Sequence, residues 1–166
     1  SGLVNMVMKK PENYSSFQIH SSMETGYESV SSGKRSRLSL WGGGSKINFY
    51  VNGGTKNYSD YEDAKGTTVP ATYEAKDYSL RLGYRLNKTQ RLQFSARDSR
   101  HDNVSYPSLP MDADKTNTRI YALDYLYQAE RAGISSLKLK IYRANVEHVM
   151  SNLERSDRSM DGVTDT

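Results

Sequence analysis

The side chains in this sequence that could most readily act as metal ligands are those of histidine and methionine, because cysteine is absent. His148 and Met150 stand two positions apart, and alternate residues of a β-strand point to the same face. Imidazole and thioether groups together suit copper, and Cu(I) in particular. Methionine in a loop is also a common packing residue, so the pair predicts a candidate ligand site and leaves the identity of any metal open.

Further candidates lie in a predicted loop over residues 103–117, which contains two prolines and two aspartates. Tyr106, Met111 and Asp112 from this loop are expected to contact a ligand together with His148 and Met150. A third methionine, Met160, lies in the polar C-terminal stretch and is also expected near an outer loop.

A catalytic arrangement is not evident. His20, His101 and His148 are far apart in the sequence, and none stands in an HExxH, GxSxG or GxGxxG context. A membrane hydrolase could assemble serine, histidine and aspartate across strands, but no particular set is selected here. The prediction is therefore that the protein is not an enzyme and needs no cofactor.

The elements that must position these residues are β-strands. The clearest one is a long hairpin over residues 76–100, in which apolar and polar residues alternate strictly on either side of a polar turn at 87–90. Such alternation is typical of strands with one apolar and one wet face. The apolar positions are Tyr78, Leu80, Leu82, Tyr84, Leu86, Leu92, Phe94 and Ala96.

The same alternation recurs along the chain and predicts about seven antiparallel strands of roughly ten residues or more. Short turns are expected near 42–46, 87–90 and 131–134, and long connections near 59–75 and 103–117. This uneven rhythm, with tyrosines near strand ends, is the pattern of an outer-membrane β-barrel. A soluble antiparallel β-sandwich also alternates and stays open as an alternative.

Composition narrows the classes further. Hydrophobic residues are 36% of the chain and no run approaches the roughly 18 apolar residues of a membrane helix, so membrane contact would have to use strands. The net charge is +4, but the 23 basic and 19 acidic residues are interspersed. A nucleic-acid partner is therefore not expected.

The opening segment SGLVNMVMKKP differs from the rest of the chain, because residues 3–8 are almost continuously apolar. It resembles the end of the plug domain in TonB-dependent outer-membrane receptors, with Gly2, Asn5, Lys9, Lys10 and Pro11 matching the pattern. Residues 26–61 are similar to early barrel strands of that family. Residues 106–125 are similar to a loop and strand found in the family, including members that handle copper.

This resemblance implies an all-β fold with two parts. Residues 1–12 would be the C-terminal end of the plug, and residues 13–166 the N-terminal part of a transmembrane barrel of 22 strands. An alternative counts residues 1–10 as a barrel strand, which would give a small eight-stranded structural barrel.

The resemblance also implies a function and a location. Such a receptor lies in the outer membrane of a Gram-negative bacterium, binds a scarce nutrient such as a metal, siderophore or haem at extracellular loops, and imports it to the periplasm. The implied partners are outer-membrane lipid, a TonB-type energy-coupling protein acting through the plug, the small-molecule or metal ligand, and a surface lipoprotein.

Basic side chains on the wet faces of the strands then have two interpretations. They form a solvated lumen wall that pairs with plug carboxylates, or they provide an electropositive path for an anionic ligand. The residues concerned are Arg81, Arg85, Arg97, Lys138 and Lys140.

Overall fold

The computed structural model describes residues 13–107, 109–129, 135–153 and 162–165. The predicted plug strand within residues 1–12, the predicted turn at 131–134 and Met160 lie outside the described residues. No helix long and apolar enough to cross a membrane occurs in the described part of the chain.

Seven long strands and three short ones occur in the described residues. In chain order they are β1 (Gln18–Glu28), β2 (Gly33–Gly43), β3 (Ile47–Tyr58), β4 (Tyr61–Glu62), β5 (Thr68–Val69), β6 (Tyr73–Arg85), β7 (Gln90–Val104), β8 (Asp112–Gln128), β9 (Ser136–Ser151) and β10 (Val163–Asp165). The prediction of an all-β fold with about seven long antiparallel strands is confirmed.

One sheet contains all the long strands, in the order β1-β2-β3-β6-β7-β8-β9-β10. Every neighbouring pair is antiparallel, and β4 and β5 form a separate small hairpin. The sheet is open at β1 and β10 within the described residues. A sandwich needs a second large sheet packed on the first, and the described chain has none.

The two faces of the sheet differ in chemistry. One face, called here the apolar face, carries a continuous row in which Phe49, Leu82, Phe94, Leu123 and Ile141 pair across β3, β6, β7, β8 and β9. These hydrophobic side chains are exposed from Leu82 onward, whereas the only buried hydrophobic side chains among the described residues are three alanines. The opposite face, called the polar face, carries the alternate residues. The sheet therefore presents its apolar side chains outward instead of packing them into a core.

The strands continue well past the apolar residues. In the polar stretch 25–34 only residues 29–32 lie outside the strands, and the loop predicted at 103–117 is reduced to residues 105–111. The cause is that side-chain alternation changes from apolar to charged while backbone pairing continues. Both connections lie at the end of the sheet that also carries residues 59–72, called the loop end. The short connections 44–46 and 86–89 lie at the turn end.

Beyond Tyr142 the apolar residues change parity, from Leu137, Leu139 and Ile141 to Val146 and Met150. The β8–β9 register runs without interruption from Gln128 opposite Ser136 to Lys115 opposite Val149. The apolar face of β9 changes from Leu139 and Ile141 to polar residues, so the strand leaves the apolar layer without a bulge of its own. An irregularity does occur in β8, between Ala113 and Lys115.

Candidate functional site

A row of four residues near the loop end brings two histidines onto the same stretch of the polar face. Ala75, His101, Thr116 and His148 are successive register partners on β6, β7, β8 and β9. Neighbouring strands are about 4.8 Å apart, so the two histidine backbones are separated by about 10 Å. Thr116 lies between them, and its hydroxyl is 2.7 Å from Nδ1 of His148. This bond fixes the orientation of the His148 ring.

Met150 lies one step nearer the loop end on the same face as His148. It pairs with Ala113 on β8, whose side chain is fully buried, and with Thr164 on β10. His148 and Met150 were predicted on one face of a strand in or near an outer loop, and both lie in β9 at the loop end and are half-buried. The strand holds them more rigidly than a loop would, because both backbones pair with β8, and the backbone of Met150 also pairs with β10.

Met111, Tyr106 and Asp112 lie in or beside the connection between β7 and β8. The Asp112 carboxylate accepts a hydrogen bond of 2.8 Å from the Tyr106 backbone N–H, which closes the connection on itself. The Met111 methyl group lies next to Gly162, just before β10. The structure therefore brings Met111 close to the strand end that carries Met150, while Met160 is outside the described residues.

Sequence reasoning missed the place of His101. The Nε2 atom of His101 is 3.2 Å from the Ser99 hydroxyl, and that hydroxyl donates a 2.6 Å hydrogen bond to Asp77. The ring of Tyr73 packs edge-on against the imidazole at 5.5 Å. The predicted inward position of Arg97 could have indicated that His101 lies on the polar face, because residues 97, 99 and 101 share one face of a strand. His101 lies opposite Thr116 because of the β7–β8 register. That register depends on where the connection between β7 and β8 begins and ends, which could not be predicted from the sequence.

All five predicted basic residues lie on the polar face. Arg97 is 3.9 Å from Asp77, and Lys140 is 3.9 Å from Asp124. Lys138 pairs with Leu126 in the register, next to Lys140 on the same face. Arg81 is nearly buried at 8% exposure, and Arg85 lines a depression at the turn end.

A groove of about 450 Å³ lies on this face. Three cations that were not singled out in the sequence, Arg35, Arg37 and Lys56, line it together with Arg97. Its carboxylates are Glu24 and Asp77, so the charged groups sum to +2 from four cations and two anions. The groove therefore favours negatively charged groups.

Asp60 orders the long connection between β3 and β6. One carboxylate oxygen accepts hydrogen bonds from the Ala71 backbone N–H at 2.9 Å and from the Thr72 hydroxyl at 2.7 Å. These bonds, led by the one from Ala71, lower the pKa of Asp60 below its ordinary value. Because the pKa is depressed in the folded chain, this support is present at neutral pH and is lost as the pH falls through the folded value.

The site at the loop end offers soft donors in a half-buried strand setting. His148 and Met150 share one face, and Met111 lies near the same strand end. Within the described ranges, no group of three or more histidine, aspartate or glutamate side chains could hold a metal. A hard-metal site built from carboxylates is thus not formed in that part of the chain. Nitrogen and sulfur donors suit a soft metal ion instead.

Comparison with known proteins gives one finding about the fold. No protein-family model and no curated protein matches the sequence. Among solved structures, the chain is similar to the copper transporter OprC, with a TM-score of 0.80 and 16% sequence identity over 95% of this chain. This chain spans 25% of the length of that protein. At this identity the likeness establishes a related fold.

The bond between Asp112 and Tyr106 predicts how the β7–β8 connection responds to substitution. Asp112→Ala removes the acceptor and should cost about 1 kcal/mol of local stability, which raises the open population of residues 105–111 about fivefold. The rate of limited proteolysis within this connection measures the change. Asp112→Asn keeps a side-chain oxygen and should be cleaved at close to the parent rate. Equal rates for Asp112→Ala and the parent would show that the bond does not hold the connection closed.

Proposed function

We propose that this chain is the N-terminal part of the barrel of a TonB-dependent outer-membrane receptor. The receptor binds a scarce nutrient at its extracellular side and passes it to the periplasm. The observation that carries the proposal is the division of one antiparallel sheet into an exposed apolar face and a polar face, within a fold related to that of a transporter.

The dimensions of the apolar face support contact with lipid. On β6 and the turn after it, the apolar residues run from Tyr78 to Leu86, which is nine residues. A membrane-spanning strand uses about 9–11 residues when tilted by about 45°. Tyrosines lie at both borders of the band, with Tyr78 and Tyr121 toward the loop end and Tyr84 and Tyr125 toward the turn end. Tyrosine is favoured at the headgroup level because its ring is apolar and its hydroxyl is wet.

The open edges of the sheet support a larger barrel. In lipid no water is present to satisfy unpaired backbone N–H and C=O groups, and each unsatisfied group costs several kcal/mol. The free edge of β1 would carry a row of such groups along 11 residues. Further strands that pair with the edges remove this cost, as a 22-stranded barrel with a plug in its lumen would do.

Copper is the ligand that the donor set at the loop end favours. His148 presents an imidazole and Met150 a thioether on one face of β9, and Met111 lies close to the same strand end. These groups match the preference of Cu(I) for soft ligands. The related fold belongs to a copper transporter, which agrees with this choice.

An anionic chelate is the second candidate, on the strength of the groove lined by Arg35, Arg37, Lys56 and Arg97. Its net charge of +2 would attract a negatively charged complex such as a siderophore. The same cations would otherwise pair with carboxylates of a plug. Coupling to a TonB-type protein would run through that plug, and a surface lipoprotein could assist at the loops.

The copper proposal predicts a loss of binding when either donor is removed. In the intact purified protein, His148→Ala and Met150→Leu should each weaken Cu(I) affinity about tenfold or more, since each removes a direct ligand. Competition with a chromogenic Cu(I) chelator under reducing conditions measures the affinity. His20→Ala is the matched control, because His20 stacks on Trp41 on the polar face of a distant strand. Unchanged affinity in both donor variants would remove copper as the ligand of this site.

The lipid contact predicts unequal losses of stability at two adjacent positions of β7. Phe94→Arg places a charge in the middle of the apolar band and should lower the free energy of unfolding in bilayers by about 2–4 kcal/mol. Gln93→Arg adds the same charge on the polar face, opposite Asp124, and should cost far less. Denaturant unfolding of the intact protein in lipid vesicles measures both. Equal losses for the two variants would contradict a lipid-covered apolar face.

A further inference from the structure

Four cations lie on the apolar face, beside or just beyond the tyrosines of its loop-end border. Lys76 and Arg100 are direct register partners on β6 and β7. Arg119 follows on β8. Arg143 lies on β9, where it is the register partner of Tyr121 on β8. We call Lys76, Arg100, Arg119 and Arg143 the cationic cluster. Each member shares strand parity with the hydrophobic residues of the band, so the cluster faces the same direction.

One carboxylate, that of Asp98, bonds directly to members of the cationic cluster. Asp98 accepts hydrogen bonds from Nε of Arg100 at 2.8 Å and from Nε of Arg119 at 2.9 Å. Four cations and one carboxylate leave an excess of +3. Lys76 directly opposes Arg100, and two like charges opposite each other destabilise a strand pair. Glu147 lies in the same register row as Lys76 and Arg100 and also attracts Arg119, although its direct partner is Lys115.

Three further acidic residues lie on the same face near the cationic cluster. Glu147 is engaged by Lys115 at 2.9 Å and by Asn117 at 3.0 Å. Glu74 and Asp102 face the same way as the cluster, one outward-facing position nearer the loop end than Lys76 and Arg100. Arg143 and Arg119 are thus the first cations beyond the apolar band, in the rows of Tyr121 and Tyr78, and Asp98 shares the row of Tyr78.

We propose that the cationic cluster binds the phosphate groups of an anionic lipid headgroup. Guanidinium groups present several N–H donors in a fixed plane that matches phosphate oxygens. The Asp98 bonds use Nε of Arg119 and Nε and one terminal nitrogen of Arg100, so further donors are left on both residues. Both side chains are about half exposed, at 49% and 51%. Phosphate can therefore approach them from the side that lipid would cover.

The position of the cluster selects a lipid over a free anion. Its members lie within one or two residue rows of Tyr78 and Tyr121, where the headgroups begin if the apolar face is covered by lipid. The inference rests on the proposed function for this point. The acyl chains of a lipid already hold its headgroup phosphate at the level of these tyrosines. Binding such a phosphate therefore costs less entropy than binding a phosphate that is free in solution.

Lipid A, a phosphorylated glycolipid, is the probe, with phosphatidylcholine as the lipid without net charge. Each is titrated into the intact protein in detergent, and binding is measured by native mass spectrometry. The parent should prefer lipid A. Lys76→Gln combined with Arg143→Gln should weaken lipid A binding about 25-fold, from about fivefold for each cation near a membrane surface. These two substitutions leave the Asp98 bonds with Arg100 and Arg119 in place, so folding should be kept, as circular dichroism can verify.

Lys46→Gln combined with Lys88→Gln is the matched control, because it removes the same charge from the connections at the turn end of the sheet and should leave lipid A binding unchanged. The proposal is overturned if the cluster variant binds lipid A as tightly as the parent, or if the control loses as much. It is also overturned if inorganic phosphate competes equally in the parent and in the cluster variant. A parent that inserts into bilayers without preferring lipid A overturns only the phosphate site. A parent that does not insert overturns the barrel proposal as well.

Discussion

The constraint on which this structure depends is the antiparallel register of its strands. Side chains alternate with a period of two, so a slip of one residue in any pair would move its whole apolar set to the other face. The row from Phe49 through Leu82 and Phe94 to Ile141 exists because four consecutive strand pairs keep the same parity. Two faces of opposite chemistry follow from this, and with them the proposed separation of lipid from lumen.

The one register shift inside a long strand pair lies where the candidate ligand site is built. Between Ala113 and Lys115, β8 contains one extra residue, Asp114, whose carboxylate accepts a hydrogen bond from the Ser151 hydroxyl at 3.0 Å. Because of the shift, Met150 faces a small, fully buried alanine. Bulges often occur next to functional sites, where they redirect side chains. Here the shift changes which residue of β8 lies opposite Met150, next to the row that contains His101 and His148.

Much of the fold could be predicted from alternation alone. The hairpin over residues 76–100, its apolar face and the opposite face with Arg81 and Arg97 are all present in the structure. Strand ends were less predictable, because β7 and β8 continue into charged residues up to Val104 and from Asp112. Hydrophobic periodicity stops at the border of the apolar band, but backbone hydrogen bonding does not. The position of His101 depended on those hidden strand ends and could not be predicted for the same reason.

The central claim is that the apolar face lies in lipid and the polar face does not. The chain has no cysteine, so single cysteines at residues 79–82 of β6 can each carry a nitroxide label in the intact protein reconstituted in bilayers. Collision rates with oxygen, which concentrates in lipid, and with a water-soluble nickel chelate are then measured by electron paramagnetic resonance. We expect oxygen maxima and nickel minima at Leu80 and Leu82, with the opposite ratio at Ser79 and Arg81. High nickel accessibility at Leu80 and Leu82 would place the apolar face in water and contradict the account.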